Sequence, residues 1–300
     1  MRSRLQAIRL LRHGAPLVAQ DIADPRPRDG EVLVNIRAAG ICHSDCDYRA
    51  DPARTGVPRT LGHEIAGVIA GTNRRVALHY LLPNGDMIGK EVDGGYAESI
   101  VVPAGNAIPI PDGVSFEQAA IMMCSTATAY HSLRLAGFQP GETLAILGFG
   151  GLGISALFLA KKSGAGEVRV VERVAGKLQI AERFGARAGL GSPDVVLDFA
   201  GNAALTLEAL RALKPGGRLM LIAIHLHDFG FDAYRDVLAK ERRIIGVSDH
   251  TADELRELLA MGLDLSPAIT RRVPLDAGAI NAVLEDLDCG TAHLRSVIVP

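Results

Sequence analysis

Cys42, His63 and Cys124 are the residues of this 300-residue chain whose types and setting bear most directly on chemistry. The segments Gly40-Ile41-Cys42-His43-Ser44-Asp45 and Leu61-Gly62-His63-Glu64-Ile65-Ala66-Gly67 put a thiol and an imidazole about twenty residues apart, and Cys124 adds a second thiol further on. Two thiolates, one imidazole and an open fourth position make a catalytic rather than a structural zinc set. Spacing alone does not select these three, because buried cysteine is common in cores and a single histidine is more often hydrogen-bonded structure than ligand. Cys46 offers a rival pairing with Cys42 beside His43, but nothing nearby completes a closed tetrahedral site. Cys289, in AINAVLEDLDCG, reads as a half-buried helix residue.

A second constellation is made of backbone. Gly148-Phe149-Gly150-Gly151-Leu152-Gly153 fits G-x-G-x-x-G, follows the strand-like TLAIL, opens the helix-like LGISALFLAKK, and has Glu172 at the end of the next strand. In that order the glycines allow a tight turn, close approach of a pyrophosphate and packing of helix on strand, while the helix N-terminus supplies amides and a positive dipole end. Lys161 and Lys162 lie at the other end of that helix, where the dipole favours cations. Glu172 is placed to accept hydrogen bonds from the adenosine ribose, which favours NAD and repels the extra phosphate of NADP. Arg173 beside it points the other way, and a solvated Glu-Arg pair at a strand end is the plainer reading.

These residues need elements to hold them. Up to residue 125 the chain shows short strand-type runs (Leu5–Leu11, Glu31–Ala38, Ile65–Ala70, Arg75–Leu82 and Ala97–Val102) with little helical periodicity, so the first third reads as mostly sheet. From residue 126 continuously apolar strands alternate with helices, the pattern of a doubly wound parallel sheet covered on both faces. The strand-type run Arg243–Val247 ends this region, and the expected division is 1–125, 126–249 and a return segment 250–300 that rejoins the first domain. Apolar residues at 48% and charged residues at 22% describe a globular chain. Thirty-two Lys and Arg against 34 Asp and Glu, a net charge of −2 with the signs interspersed, argues against nucleic acid as a partner. Thr143–Ala160 is uncharged and about long enough to span a bilayer, but its glycines mark a buried strand, turn and helix, and no membrane segment is expected. The arginine-broken start, MRSRLQAIRLLRHG, lacks a secretory pattern, so a cytoplasmic location with reduced or metal-bound cysteines is expected.

Taken together, GICHSD, GHEIAG, the MMCSTATAY run, GFGGLG and KPGGRLMLIA resemble the zinc-dependent medium-chain alcohol dehydrogenases along nearly the whole chain. The resemblance implies a mostly β, GroES-like catalytic domain split between the chain's two ends, an inserted Rossmann dinucleotide-binding domain, and an active site in the cleft between them. It implies that Cys42, His63 and Cys124 hold zinc, that Asp45 hydrogen-bonds the His63 imidazole, that Glu64 approaches the metal during ligand exchange, and that Ser44 takes the alcohol proton. It puts His43 and Arg295 at the cofactor pyrophosphate, Lys177 at the adenosine ribose, and Tyr80 near an aromatic wall of the substrate pocket.

The sequence departs from that family in three ways. The stretch Pro83–Asp93, where a structural-zinc lobe is often found, contains no cysteine, so one zinc per chain is expected. Asp47 stands where a relay histidine usually ends the proton path, and a relay role and a plain solvated carboxylate are equally open. Segments around Gly71–Arg75 and Ala186–Pro193 are trimmed. The implied function is hydride transfer between a small-molecule alcohol, aldehyde or ketone and a nicotinamide cofactor, NAD(H) by preference, in a homo-oligomer. The rivals are a zinc-free quinone or enoyl reductase of the same architecture and a non-catalytic nucleotide-binding protein.

Overall fold

A computed structural model describes residues 4–224, 228–291 and 294–300; residues 1–3, at the head of the segment read for a secretory pattern, lie outside them. The chain divides into two compact units, Met1–Ser125 with Thr251–Pro300, and Thr126–His250.

The first unit is built on the strand Glu31–Ile41. Its first half alternates, with Val34 and Ile36 buried and Asn35 and Arg37 exposed, as expected of a strand with one face in water. A register shift between Ile36 and Ala38 ends the alternation, and Ala38, Ala39, Gly40 and Ile41 are all buried. The chain therefore arrives at Cys42 fully inside. Around this strand the seven-stranded sheet runs Ile269–Val273, Arg295–Ile298, Glu31–Ile41, Glu64–Ile69, Arg75–Leu78 and Ala107–Pro109, with Ser99–Pro103 also pairing on Glu31–Ile41. The return segment thus supplies two of its strands. A three-stranded sheet holds Val18–Ala23, Arg4–Leu10 and Arg59–Thr60.

The core of this unit collects Ile8, Leu10, Leu61, Ile65, Leu78 and Tyr96. The helix Ala277–Asp288 adds Ile280, Val283 and Leu284, spaced three and four residues apart on one face. Two short helices, His43–Ala50 and Phe116–Ile121, interrupt the part that sequence periodicity reads as mostly sheet. Neither spans more than 8 residues, too few for a periodic signal to stand out. Cys289 is exposed at the C-cap of Ala277–Asp288, not half-buried within it, because the apolar stripe ends at Leu287.

The second unit is a six-stranded parallel sheet in the spatial order Arg187–Ala188, Glu167–Val171, Thr143–Leu147, Val195–Asp198, Arg218–Leu221, Arg243–Gly246. Numbered along the chain this is 3-2-1-4-5-6, the order of a dinucleotide-binding Rossmann sheet. The central strands Thr143–Leu147 and Val195–Asp198 are buried almost throughout, as helices on both faces require. The third strand is only two residues long. No described helix is long and apolar enough to cross a membrane.

Candidate metal and active site

Sheet register brings the sequence-distant residues of the first unit together. Gly40 pairs with Glu64 across Glu31–Ile41 and Glu64–Ile69, and Ile41 pairs with Ser296 of the return strand. Cys42, Glu64 and Arg295 are thereby neighbours, and His63 immediately precedes its strand. A side-chain carbon at Gly40 would collide with the Glu64 carboxylate, so glycine at that position is what seats the acid. Cys124 comes from a different kind of element. Ser115 Oγ accepts the Gln118 N–H at 3.2 Å to start the helix Phe116–Ile121, which widens into a π-helical turn at Met122–Thr126. Such turns are rare and frequent at functional sites, and this one carries the thiol.

Donor atoms of Cys42, His63, Glu64 and Cys124 all lie within 4.8 Å of one another. A tetrahedral zinc ion, with Zn–S of about 2.3 Å and Zn–N of about 2.0 Å, keeps its ligands roughly 3.5–3.8 Å apart, inside that envelope. His63 Nε2 is buried without a hydrogen-bond partner, as is Glu64 Oε1. An orphaned buried ring nitrogen beside two thiols is the arrangement that a borderline-soft divalent cation satisfies. The other ring nitrogen, Nδ1, faces Asp45 Oδ1 at 3.4 Å, an ion-pair separation that neither atom closes to a hydrogen bond. Tyr80 and Tyr48 flank the imidazole edge-on, with ring centroids at 5.6 and 6.2 Å.

The cluster carries strong fields. The hydrogen bond from Cys124 pulls the Cys42 thiol well below its ordinary range against the opposing effect of burial, and the same bond raises Cys124 as its donor. Burial pushes the Glu64 carboxyl up to about 7 although the Arg295 guanidinium beside it works in the other direction. Arg295 and Glu64 form a fully buried ion pair, and Arg295 Nε has no partner. Ser44 is half-buried, with Oγ 3.6 Å from Cys42 Sγ.

On the same helix His43 is exposed and Asp47 half-buried. His43, Cys46 and Asp288 form a second group of donor atoms within 4.8 Å. Asp288 is already paired with Arg49 at 2.5 Å, and the Cys46 thiol donates to the Leu284 carbonyl at 3.5 Å, so both are satisfied without an ion.

In the second unit the glycine turn takes the form its spacing implies. Gly148 has φ of +87° and donates its N–H to the Val171 carbonyl at 2.9 Å. A Cβ on Gly153 would stand 2.5 Å from the Gly148 carbonyl, so helix Gly151–Lys162 packs on the turn only with glycine there. A Cβ on Gly150, by contrast, would meet nothing within 4 Å. Gly151 and Leu152 form the first turn of the helix. Glu172 accepts the Phe149 N–H at 2.7 Å and the Val174 N–H at 2.8 Å. It therefore ties the glycine turn to the start of helix Ala175–Arg183, which bears Lys177, and each oxygen keeps a second lone pair for a hydroxyl. Arg173 beside it is exposed.

Sequence patterns do not reveal three features of the first unit: the Glu64–Arg295 pair, the π turn at Cys124, and Tyr96, whose hydroxyl donates to Asp45 Oδ2 at 2.7 Å. The one signal for the last is the glycine cluster Gly94-Gly95 before it, which leaves room for close backbone packing.

Comparison with known proteins identifies the family. Residues 28–112 match the alcohol dehydrogenase GroES-like domain and residues 151–263 the zinc-binding dehydrogenase domain. A probable zinc-binding alcohol dehydrogenase of Mycobacterium tuberculosis is 33% identical over 86% of this chain and 79% of its own length. An NAD-dependent alcohol dehydrogenase of Saccharolobus solfataricus is 27% identical over 99% of this chain and 100% of its own. Among solved structures, a thermostable alcohol dehydrogenase of Pyrobaculum aerophilum with bound cobalt and zinc superposes with a TM-score of 0.84, at 26% identity, over 99% of this chain and 100% of that one.

Proposed function

The chain belongs to the zinc-dependent medium-chain alcohol dehydrogenase family, and from that premise we propose that it is an oxidoreductase that moves a hydride between a small-molecule alcohol and NAD, with one zinc ion held by Cys42, His63 and Cys124. The observation that carries this reading is the convergence of two thiols and an unpartnered buried imidazole nitrogen within 4.8 Å. Zinc in such a site supplies a Lewis acid that makes a bound alcohol acidic near neutral pH. Ser44 would accept the alcohol proton and pass it outward, and NAD held by the glycine turn would supply the hydride acceptor, so that the balance is an aldehyde or ketone, NADH and one proton. Asp45 holds the His63 ring in one tautomer and orientation. Glu64, kept in place by Arg295, is the carboxylate available for ligand exchange. Asp47 is the candidate for the outer end of the proton path.

For the cofactor, we assign the pyrophosphate to the amides of the glycine turn. Glu172 and Lys177 are assigned to the adenosine ribose, and the Glu172 carboxylate favours NAD over NADP by repelling a 2′-phosphate. The single-zinc stoichiometry rests on the absence of cysteine from Pro83–Asp93. Metal analysis of the purified protein combined with absorbance at the NADH band over a panel of alcohols tests the proposal. One zinc per chain and alcohol-dependent NADH formation are expected; two zincs would refute the stoichiometry, and full activity in metal-free protein would overturn the mechanism.

A further inference from the structure

We infer that Tyr96 is a positioning residue for the zinc site, acting through Asp45 on both Cys42 and His63; the inference rests on the zinc reading above. Asp45 is fully buried and its two oxygens have separate duties. Oδ2 accepts the Tyr96 hydroxyl at 2.7 Å and the Cys42 N–H at 3.0 Å, which leaves Oδ1 toward His63 Nδ1 at 3.4 Å. One carboxylate oxygen with a single backbone donor is free to rotate about χ2, a broad torsion for aspartate. A second donor from a different part of the fold fixes the plane of the carboxylate, and with it the direction of Oδ1 toward the imidazole.

Tyr96 is well placed to be that donor because it touches both ligand-bearing segments. Its backbone N–H donates to the Leu61 carbonyl at 3.0 Å, and the preceding Gly95 and Gly94 donate to Gly62 and Thr60 at 2.7 and 2.8 Å. The 94–96 segment is thus laid along the chain that leads into His63. The Tyr96 ring fills the space above Gly62, where a Cβ would lie 2.5 Å from it, and Gly62 adopts φ of +92°. Behind it, the Tyr96 carbonyl accepts the Ile8 N–H at 2.7 Å, which anchors the residue to the outer sheet. A wholly buried phenol whose ring packs on one ligand segment and whose hydroxyl braces the other holds the two ligands at a fixed separation. Outer-sphere partners of this kind change metal affinity by about ten- to a hundredfold when removed.

The test is the rate at which bound zinc passes to a chromogenic chelator, with the absorption bands of the cobalt-substituted protein as a geometric readout. Tyr96→Phe keeps the ring over Gly62 and removes only the donor. It is expected to release zinc about ten- to a hundredfold faster than wild type and to shift the cobalt bands, while the metal-stripped protein still melts cooperatively. Asp45→Asn is expected to do the same, and the double variant to lose little more than the worse single, since both break one relay. Zinc release within twofold of wild type in a folded Tyr96→Phe protein overturns the inference, as does a wild-type rate in Asp45→Asn. Failure of Tyr96→Phe to fold with or without zinc also overturns it, because the hydroxyl then serves the fold and not the ligand. If wild type itself takes up no zinc or cobalt, the metal reading fails first and this inference falls with it; a wild type that binds metal while both variants release it normally isolates the failure to Tyr96.

Discussion

The two sites of this molecule are built on opposite principles. The donor cluster of the first unit is made of side chains that come from three regions of the sequence and meet through strand register and a π turn. The glycine turn of the second unit is made of backbone, from six consecutive residues, braced by a single carboxylate, Glu172. The first concentrates ionisable groups in a buried volume, where each depends on its neighbours for a partner. The second keeps its surroundings open, with space above Gly150 that no protein atom fills. A side-chain site is broken by removing an atom, and a backbone site is broken by adding one.

That contrast predicts where single substitutions act. Removing one ligand sulfur has the largest effect: Cys42→Ser is expected to lower zinc content sharply and to reduce alcohol-dependent NADH formation about a thousandfold or more, equivalent to about 4 kcal/mol of transition-state stabilisation. Cofactor affinity in the same variant, read by fluorescence titration with NADH, is expected to change little. Full metal content together with full activity in Cys42→Ser would end the zinc assignment.

Adding one carbon gives the reverse pattern. Gly150→Ala meets no atom within 4 Å, and the residue's φ of −105° suits an L side chain, so unfolding free energy is expected to shift by under about 1 kcal/mol. NADH affinity is nonetheless expected to fall about tenfold or more, because the second glycine is where a pyrophosphate approaches the backbone. Gly153→Ala, which drives a carbon to 2.5 Å from the Gly148 carbonyl, is expected instead to destabilise the unit by about 1–3 kcal/mol. Equal effects of both substitutions on thermal unfolding and on cofactor titration would remove the distinction between a ligand-facing and a packing glycine.

The same contrast explains which parts of the two sites are legible in the amino-acid sequence. The glycine turn is legible because its residues are contiguous and its context, a strand before and a helix after, is local. Cys42, His63 and Cys124 can be nominated by type, but the meeting of Cys42 with His63 depends on pairing between Gly40 and Glu64, and that of Cys124 with both on the π turn at Met122–Thr126, which no local pattern encodes. Arg295 is expected at a phosphate, yet it is also bound to Glu64 inside the protein, a second role that only register reveals. Tyr96 carries no chemical signature at all. Buried tyrosine is ordinary, and its meaning lies in which oxygen it donates to. Helix His43–Ala50 escapes a periodicity reading because it is 8 residues long and mostly polar.

A smaller prediction concerns Glu172, where the two principles meet in one side chain. Glu172→Gln keeps one amide oxygen for backbone donors but removes the charge, so discrimination against NADPH is expected to weaken about ten- to a hundredfold in kcat/KM while the fold persists. Discrimination unchanged from wild type would mean that Glu172 serves only the Phe149 and Val174 amides.

The smallest effect separates structural charge from chemical charge. In the second unit the Arg218 guanidinium is buried and grips Glu142 with two bonds of 2.8 Å while also donating to the Ala136 carbonyl at 2.9 Å. That contact holds the Glu142 carboxyl below its ordinary range. A carboxylate whose folded pKa is depressed adds stability that is fully present above its unfolded value of about 4.3 and is lost as pH falls through the folded value. Asp194, which burial alone would raise, is also held low by Lys214 and the Thr143 N–H and acts in the same direction. Urea unfolding is therefore expected to show falling stability between roughly pH 5 and pH 3. Glu142→Gln is expected to cost about 1–2 kcal/mol at pH 7 and to draw closer to wild type as the pH falls toward 3, since protonation of the wild-type carboxylate removes the charge that the variant lacks. Zinc content is expected to stay at the wild-type level throughout the neutral range, because Glu142 lies just before strand Thr143–Leu147 of the second unit and not in the donor cluster. A Glu142→Gln protein that lost as much stability at pH 3 as at pH 7 would show that packing, and not the charge on this carboxylate, is what Arg218 reads.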